Sequence, residues 1–213
     1  MMQTRIKPIL KDYCMGEGVT AFSTTRQCGY SKGNYASFNI NCYCGDEEEA
    51  IKKTRESLCE LLRIADDRLL MPHQVHLTEM TVVDEGLLRL SAEERHEALE
   101  SVDALMTNVK GVCIGVSTAD CIPVLLYDPV QRAVCAIHAG WRGTVQRIVE
   151  KAVLRMGAVY GSHAEDIVAQ IGPGIHLESF EVGDEVYEAF ANEGFDMNTI
   201  SKKYEKWHID LPE

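Results

Sequence analysis

The fold is decided by Gly111-Val112-Cys113-Ile114-Gly115-Val116, then Val124-Leu125-Leu126-Tyr127, then Ala133-Val134-Cys135-Ala136-Ile137-His138. All three runs are short and nearly all apolar, the pattern of strands buried on both faces. Gly140-Trp141-Arg142-Gly143 then turns the chain into a predicted helix from Thr144 to Met156. Its Val145, Ile148, Val149, Ala152 and Met156 share one face. Downstream, Ile167 to Ile171 reads as a strand stopped by Gly172-Pro173-Gly174, and Asp184 to Ala191 as a helix. Upstream, Gly18 to Thr25 reads as a strand followed by a glycine-punctuated loop. Glu47 to Arg63 reads as a helix carrying Ile51, Leu58, Leu61 and Leu62, with Asp46 as its expected N-cap. Leu69 to Val83 predicts two short strands around His73-Gln74-Val75-His76, and Ser91 to Glu100 a solvated helix. Strands alternating with helices predict an α/β or mixed α+β class. The 213 residues predict a single compact domain over 1–213.

Composition narrows the function classes. The apolar share is 46%, which supports a full core, and the formal net charge is −12. So acidic a chain is a poor match to sequence-independent nucleic-acid binding or to an anionic membrane surface. No apolar run reaches the roughly 18 residues of a membrane span. The N-terminal Met1-Met2-Gln3-Thr4-Arg5-Ile6-Lys7-Pro8 lacks a signal-peptide core, so a cytoplasmic location is expected. In a reducing compartment the eight cysteines read as buried fillers, metal ligands or nucleophiles rather than disulfides. Cys113 and Cys135, inside apolar runs, read as core.

Three residues at strand ends can carry chemistry. His76 follows a strand candidate, Cys121 lies between two, and His138 closes a third. One thiolate and two imidazoles make a three-donor site with a vacancy, the pattern of catalytic zinc, and the same donors accept copper (Zn2+ or Cu2+). The bland alternative is a hydrogen-bonded core histidine and a buried thiol. His73 reads as a residue behind the site or on the surface, because alternate strand positions face opposite ways. Arg142, beside the glycine turn, can hold an anion such as phosphate, or can pack its stem on Trp141 with its head in solvent. Arg26 is a second candidate anion group. Asp103 and Asp120 are candidate proton carriers or supports. Asp120 adjoins Cys121, and adjacent side chains diverge, so it is expected to orient a histidine. Glu181 reads as a cap or a site residue. No nucleotide-binding glycine fingerprint is present.

Several strings together resemble a known family. They are Phe22-Ser23-Thr24-Thr25-Arg26, Ser37-Phe38-Asn39 before Gly45-Asp46, Gln74-Val75-His76 and Asp103-Ala104-Leu105-Met106-Thr107. They continue as Thr118-Ala119-Asp120-Cys121-Ile122-Pro123, His138-Ala139-Gly140-Trp141-Arg142-Gly143, Ile171-Gly172-Pro173-Gly174-Ile175 and Phe180-Glu181-Val182-Gly183. In this order the chain resembles the purine nucleoside phosphorylase family once called polyphenol oxidases or bacterial laccases, also labelled as a peptidoglycan-editing factor. The resemblance implies a compact α/β fold with central mixed sheets layered between helices, and a metal on His76, Cys121 and His138. It implies phosphorolysis of adenosine, inosine and S-methyl-5'-thioadenosine, with adenosine deamination, so the expected partners are purine nucleosides and phosphate. On this reading Arg26 and Arg142 hold phosphate and Asp103 carries the proton. Two departures accompany the resemblance. Glu178-Ser179 stands where family members often carry cysteine, and members usually continue past Trp207 to Leu211 into further elements, so a C-terminal segment is expected to be lacking.

Three rivals use the same residues. One is a copper phenol oxidase. Another is a cysteine hydrolase with Cys121 as nucleophile and His138 as base. The third is a non-catalytic metal-binding module.

Overall fold

The computed structural model describes residues 6–213, so the first five positions of the N-terminal reading lie outside it. The strands are β1 (Leu10–Tyr13), β2 (Ala21–Thr24), β3 (Leu69–Leu70), β4 (Met80–Val82), β5 (Ala104–Thr107), β6 (Cys113–Ile114), β7 (Ile122–Asp128), β8 (Ala133–Ala139), β9 (Val168–Ile171), β10 (Glu181–Val182), β11 (Ser201–Lys203) and β12 (Trp207–Ile209). The helices are α1 (Glu48–Leu62), α2 (Glu85–Arg89), α3 (Ala92–Ala98), α4 (Trp141–Val145), α5 (Ile148–Tyr160), α6 (Asp184–Asn192) and α7 (Met197–Ile200). The fold is mixed α/β, with a five-stranded sheet ordered β4-β5-β8-β7-β9 at its centre. The β4/β5 pair is parallel and the other three are antiparallel.

Alternation along β7 and β8 gives the sheet two apolar faces. Val124, Leu126, Cys135 and Ile137 pack with Ile148, Ala152 and Met156 of α5 in the main core. Leu125 and Val134 face the other way, toward Met15, Ala21 and Tyr127 beneath the β1–β2 hairpin. Cys135 is buried as expected, whereas Cys113 is half-buried and packs on the α1 cluster of Phe38, Leu58 and Leu69.

Some local expectations change. Asp46 does not cap α1: its Oδ1 accepts from the Glu47 amide and its Oδ2 from Asn39 Nδ2, so Glu47 takes the N-cap position. The predicted Thr144–Met156 helix begins earlier and breaks, because Arg147 adopts a left-handed backbone (φ 60°) between α4 and α5. The Gly111–Val116 run contributes only two strand residues, paired in parallel with β3. The α3 helix is closed by a capping box of Ser91 and Glu94. Among the described residues no helix is long and apolar enough to cross a membrane.

The register positions the site. Ile122 pairs with Ala139 and Pro123 with His138, so Cys121 comes beside Gly140 at one end of the sheet. On the other side of β8, Ala104 pairs with Ile137, and the His138 amide donates to the Asp103 carbonyl at 2.8 Å. Residues distant in sequence thus meet where three central strands end. Ile137 is fully buried in β8. Ile137→Ala is expected to lower unfolding free energy by about 2–5 kcal/mol, read from urea denaturation.

Candidate metal centre

The ligating atoms of His76, Cys121 and His138 all lie within 4.8 Å of one another. The exposed His76 comes from the loop before β4, the half-buried Cys121 from the approach to β7, and the buried His138 from the end of β8. Gly140 leaves room for them: a Cβ there would sit 3.1 Å from both Cys121 Sγ and His76 Cδ2.

A single buried carboxylate organises two of the three. Asp103 is fully buried, and its Oδ1 lies 2.7 Å from His138 Nδ1. The same carboxylate accepts three consecutive backbone amides, from Val75 (3.2 Å), His76 (2.9 Å) and Leu77 (2.9 Å). Four donors fill the acceptor capacity of an ionised carboxylate. Burial by itself raises the Asp103 pKa, but the His138 ring and the amides of Leu77, Val75 and His76 outweigh it and hold the group below the usual range. With Nδ1–H committed to Asp103, His138 presents Nε2 to the cluster, the arrangement that orients metal-bound histidines. The amide contact also holds His76 in a left-handed backbone (φ 65°), a conformation that costs a non-glycine residue energy and concentrates at functional sites.

The two imidazoles titrate differently. For His76, burial lowers the pKa first, with help from His138 and Arg142 and against the pull of Asp103, so it stands neutral and ready to donate a lone pair. For His138, burial also pulls down, but Asp103 and the adjacent Cys121 sulfur outweigh it and raise the value to about 9. The donor set, its open side and the pre-oriented Nε2 fit a zinc or copper ion.

The cluster opens into a cavity of about 340 Å3 lined by Tyr43, His73, Gln74 and Asp120 as well as the three donors. A larger cavity of about 1580 Å3, lined in part by Arg26, adjoins it through Asn41, Cys44, Ser117, Ala119 and Asp120. The remaining expected residues fall as follows. Asp103 does not line the small cavity and has no acceptor position to spare, so its surroundings suit a support for His138 rather than a proton carrier. Asp120 shows the reverse: it does not orient a histidine, and this exposed residue lines the cavity with no side-chain hydrogen bond or ion pair among the described residues. Arg142 is exposed and stacks its guanidinium 4.2 Å from the Trp141 ring centre. Arg26 donates to the Asn34 and Ala36 carbonyls, clipping the glycine-punctuated loop. Glu181 pairs with Lys206 at 2.6 Å and His73 with Glu100 at 2.6 Å.

Sequence reasoning missed Tyr43 and Cys44. Their loop is held by Asn39, whose Oδ1 accepts from the Asn41 amide and whose Nδ2 donates to Asp46, and by Tyr35 Oη on the Cys44 carbonyl. The Asn39-Ile40-Asn41 spacing of Asx turns was the available signal. The loop presents Tyr43, stacked on His73 with ring centres 4.6 Å apart, as one cavity wall.

The profile of the family described as "Multi-copper polyphenol oxidoreductase laccase" matches residues 20–213. The chain belongs to this family. A relative from Bacteroides thetaiotaomicron named "Purine nucleoside phosphorylase" is 50% identical over 91% of this chain and 73% of its own length. "Adenosine deaminase RL5", from an unknown prokaryotic organism, is 43% identical over 92% of this chain and 75% of its own. Among solved structures, YlmD from Geobacillus stearothermophilus superposes with a TM-score of 0.83 at 28% identity, covering 92% of this chain and 73% of that one. The family is the one that the sequence motifs resemble.

Two outcomes are expected. A raised folded-state pKa at His138 stabilises the metal-free fold below the ordinary histidine range, and that contribution is lost as pH rises through about 9. A metal on Nε2 and on the Cys121 sulfur must displace the imidazolium proton and the thiol proton, so apparent zinc affinity is expected to rise by at least about tenfold per pH unit from neutrality and to level off above about 9. Competition with a chromogenic chelator across pH measures it. Asp103→Asn is expected to weaken zinc binding about 10- to 100-fold, measured in the same assay.

Proposed function

We propose that this chain is a metal-dependent purine nucleoside enzyme. It would cleave adenosine, inosine and S-methyl-5'-thioadenosine with phosphate and also deaminate adenosine. The names of the relatives support the substrate class. The observation that carries the metal reading is His76, held in a left-handed backbone by Asp103 and within reach of Cys121 and His138. A bound zinc or copper ion would supply Lewis acidity toward a water or the purine.

The chain's own residues do the rest. The Tyr43–His73 wall gives the purine a stacking surface. Asp120, rather than Asp103, takes the proton from the water that attacks C6 and passes it to the leaving ammonia. In phosphorolysis, Arg142 and Arg26 hold phosphate as its oxygen bonds to C1′ and the glycosidic C–N bond breaks. Arg142 makes no ion pair among the described residues and can leave its Trp141 stack, whereas Arg26 must first release its loop carbonyls.

A second reading has one observation behind it. Cys121, His138 and Asp103 stand in the order of a nucleophile, base and orienting carboxylate. A cysteine hydrolase, however, has no use for His76 in that position. The copper phenol oxidase reading would draw on the same single three-donor cluster among the described residues, a narrow basis for four-electron chemistry.

The test is to quantify zinc and copper in the purified chain and follow adenosine with and without phosphate by chromatography. Expected are phosphate-dependent adenine and phosphate-independent inosine, both lost in Cys121→Ser. Asp120→Asn should lower deamination about 10²- to 10⁴-fold with metal content unchanged. Arg142→Ala should damage phosphorolysis more than deamination. Bound metal with no nucleoside product would overturn the reading. Chelator-resistant turnover with an alkylatable Cys121 would favour the hydrolase.

A further inference from the structure

Three donors define a triangle, and each of its sides needs a mechanical tie. The His76–His138 side is tied by Asp103, which bonds the amide of one and the ring of the other. The Cys121–His138 side is tied by the β7/β8 register, in which Pro123 opposes His138. The His76–Cys121 side has no such ladder. The β3/β6 pairing that brings the two segments together ends at Leu70 and Ile114, with one further bond from the Gly115 amide to the Leu70 carbonyl. Beyond it, among the described residues, no backbone hydrogen bond joins the His76 loop to the approach to Cys121.

Gln74 spans that gap. Its Nε2 donates to the Ser117 carbonyl at 2.8 Å, and its Oε1 accepts from the Ser117 amide at 2.7 Å. A side-chain amide thus stands in for a strand partner, meeting both main-chain groups of one residue across 43 positions. Gln74 lies two residues before His76, and Ser117 four before Cys121. On its far side the Cys121 approach is held by the Ile175 amide, which donates to the Asp120 carbonyl at 2.8 Å. We infer that Gln74 is the positioning residue for the His76–Cys121 side of the triangle, setting the thiol against the two imidazoles. In this role it acts through Ser117. The inference rests on the metal reading only for its consequence in metal affinity, because the positioning of the thiol exists without an ion.

The chemistry of the clamp selects the variants. Gln74→Ala removes both bonds. Gln74→Glu keeps the shape and the bond from the Ser117 amide but sets a carboxylate oxygen against the Ser117 carbonyl, so one attraction becomes a repulsion. In the metal-free full chain, iodoacetamide labelling of Cys121, mapped by mass spectrometry, is expected to run several-fold faster in both variants. Zinc binding, measured by chelator competition, is expected to weaken about 10- to 100-fold. The thiolate charge-transfer band of the cobalt-loaded protein should fade relative to its d–d bands. A merely structural role would lower the Tm and leave the labelling rate and the zinc Kd alone. Gln74→Glu, being isosteric, keeps the test available if Gln74→Ala does not fold. Wild-type labelling and zinc binding in the variants overturn the inference. A wild-type chain that binds no zinc sinks the metal reading instead, and the labelling rate then decides the positioning alone.

Discussion

The carboxylate of Asp103 is the constraint on which the site depends. It is fully buried, and it stays ionised because four N–H groups converge on it, one of them from the basic His138 ring. Three of those donors are consecutive amides of one loop, and the fourth is an imidazole from another strand. One charge therefore fixes the conformation of the His76 loop and the tautomer of His138 together. Removing that carboxylate would leave the buried His138 ring donor and three part-buried amides unpaired, a cost larger than that of any one bond.

On the proposed reading, this hub changes the division of labour between two aspartates. A carboxylate with every lone pair engaged makes a frame, whereas one that faces a cavity unpaired can exchange protons with what enters. Asp103 and Asp120 fit these two descriptions, and the arginines divide in a similar way. Arg26 is spent on loop carbonyls, whereas Arg142 rests on an aromatic face that it can leave. The same donors would serve a thiol hydrolase if His76 were elsewhere, so the left-handed turn at His76 is what separates the readings.

Much of this was legible in the sequence. The apolar runs gave β7 and β8 with Cys121 and His138 at their ends, and the strand candidate before it gave His76. What sequence could not convey was register. That His138 opposes an aspartate at the mouth of β5, and not the aspartate beside Cys121, follows from strand pairing across 35 positions. Adjacency along the chain pointed to Asp120, and pairing across the sheet selected Asp103. The Gly18–Thr25 reading caught β2, but its partner β1 and the β10-β12-β11 sheet escaped for a simpler reason. Their strands are two to four residues long and half-exposed, too short for alternation to register.

The wide sequence separation of the three donors also bears on how the protein matures. In a zinc finger the ligands are near neighbours and the ion drives folding. Here the donors meet only once β5, β8 and β7 have paired in register, so an ion has no assembled seat on the nascent chain. On the proposed metal reading, loading would then be a separate event, after the polypeptide has closed. The identity of such an ion would be settled by which metals the finished protein encounters, and the same chain made in two metal environments would emerge as two different holoproteins.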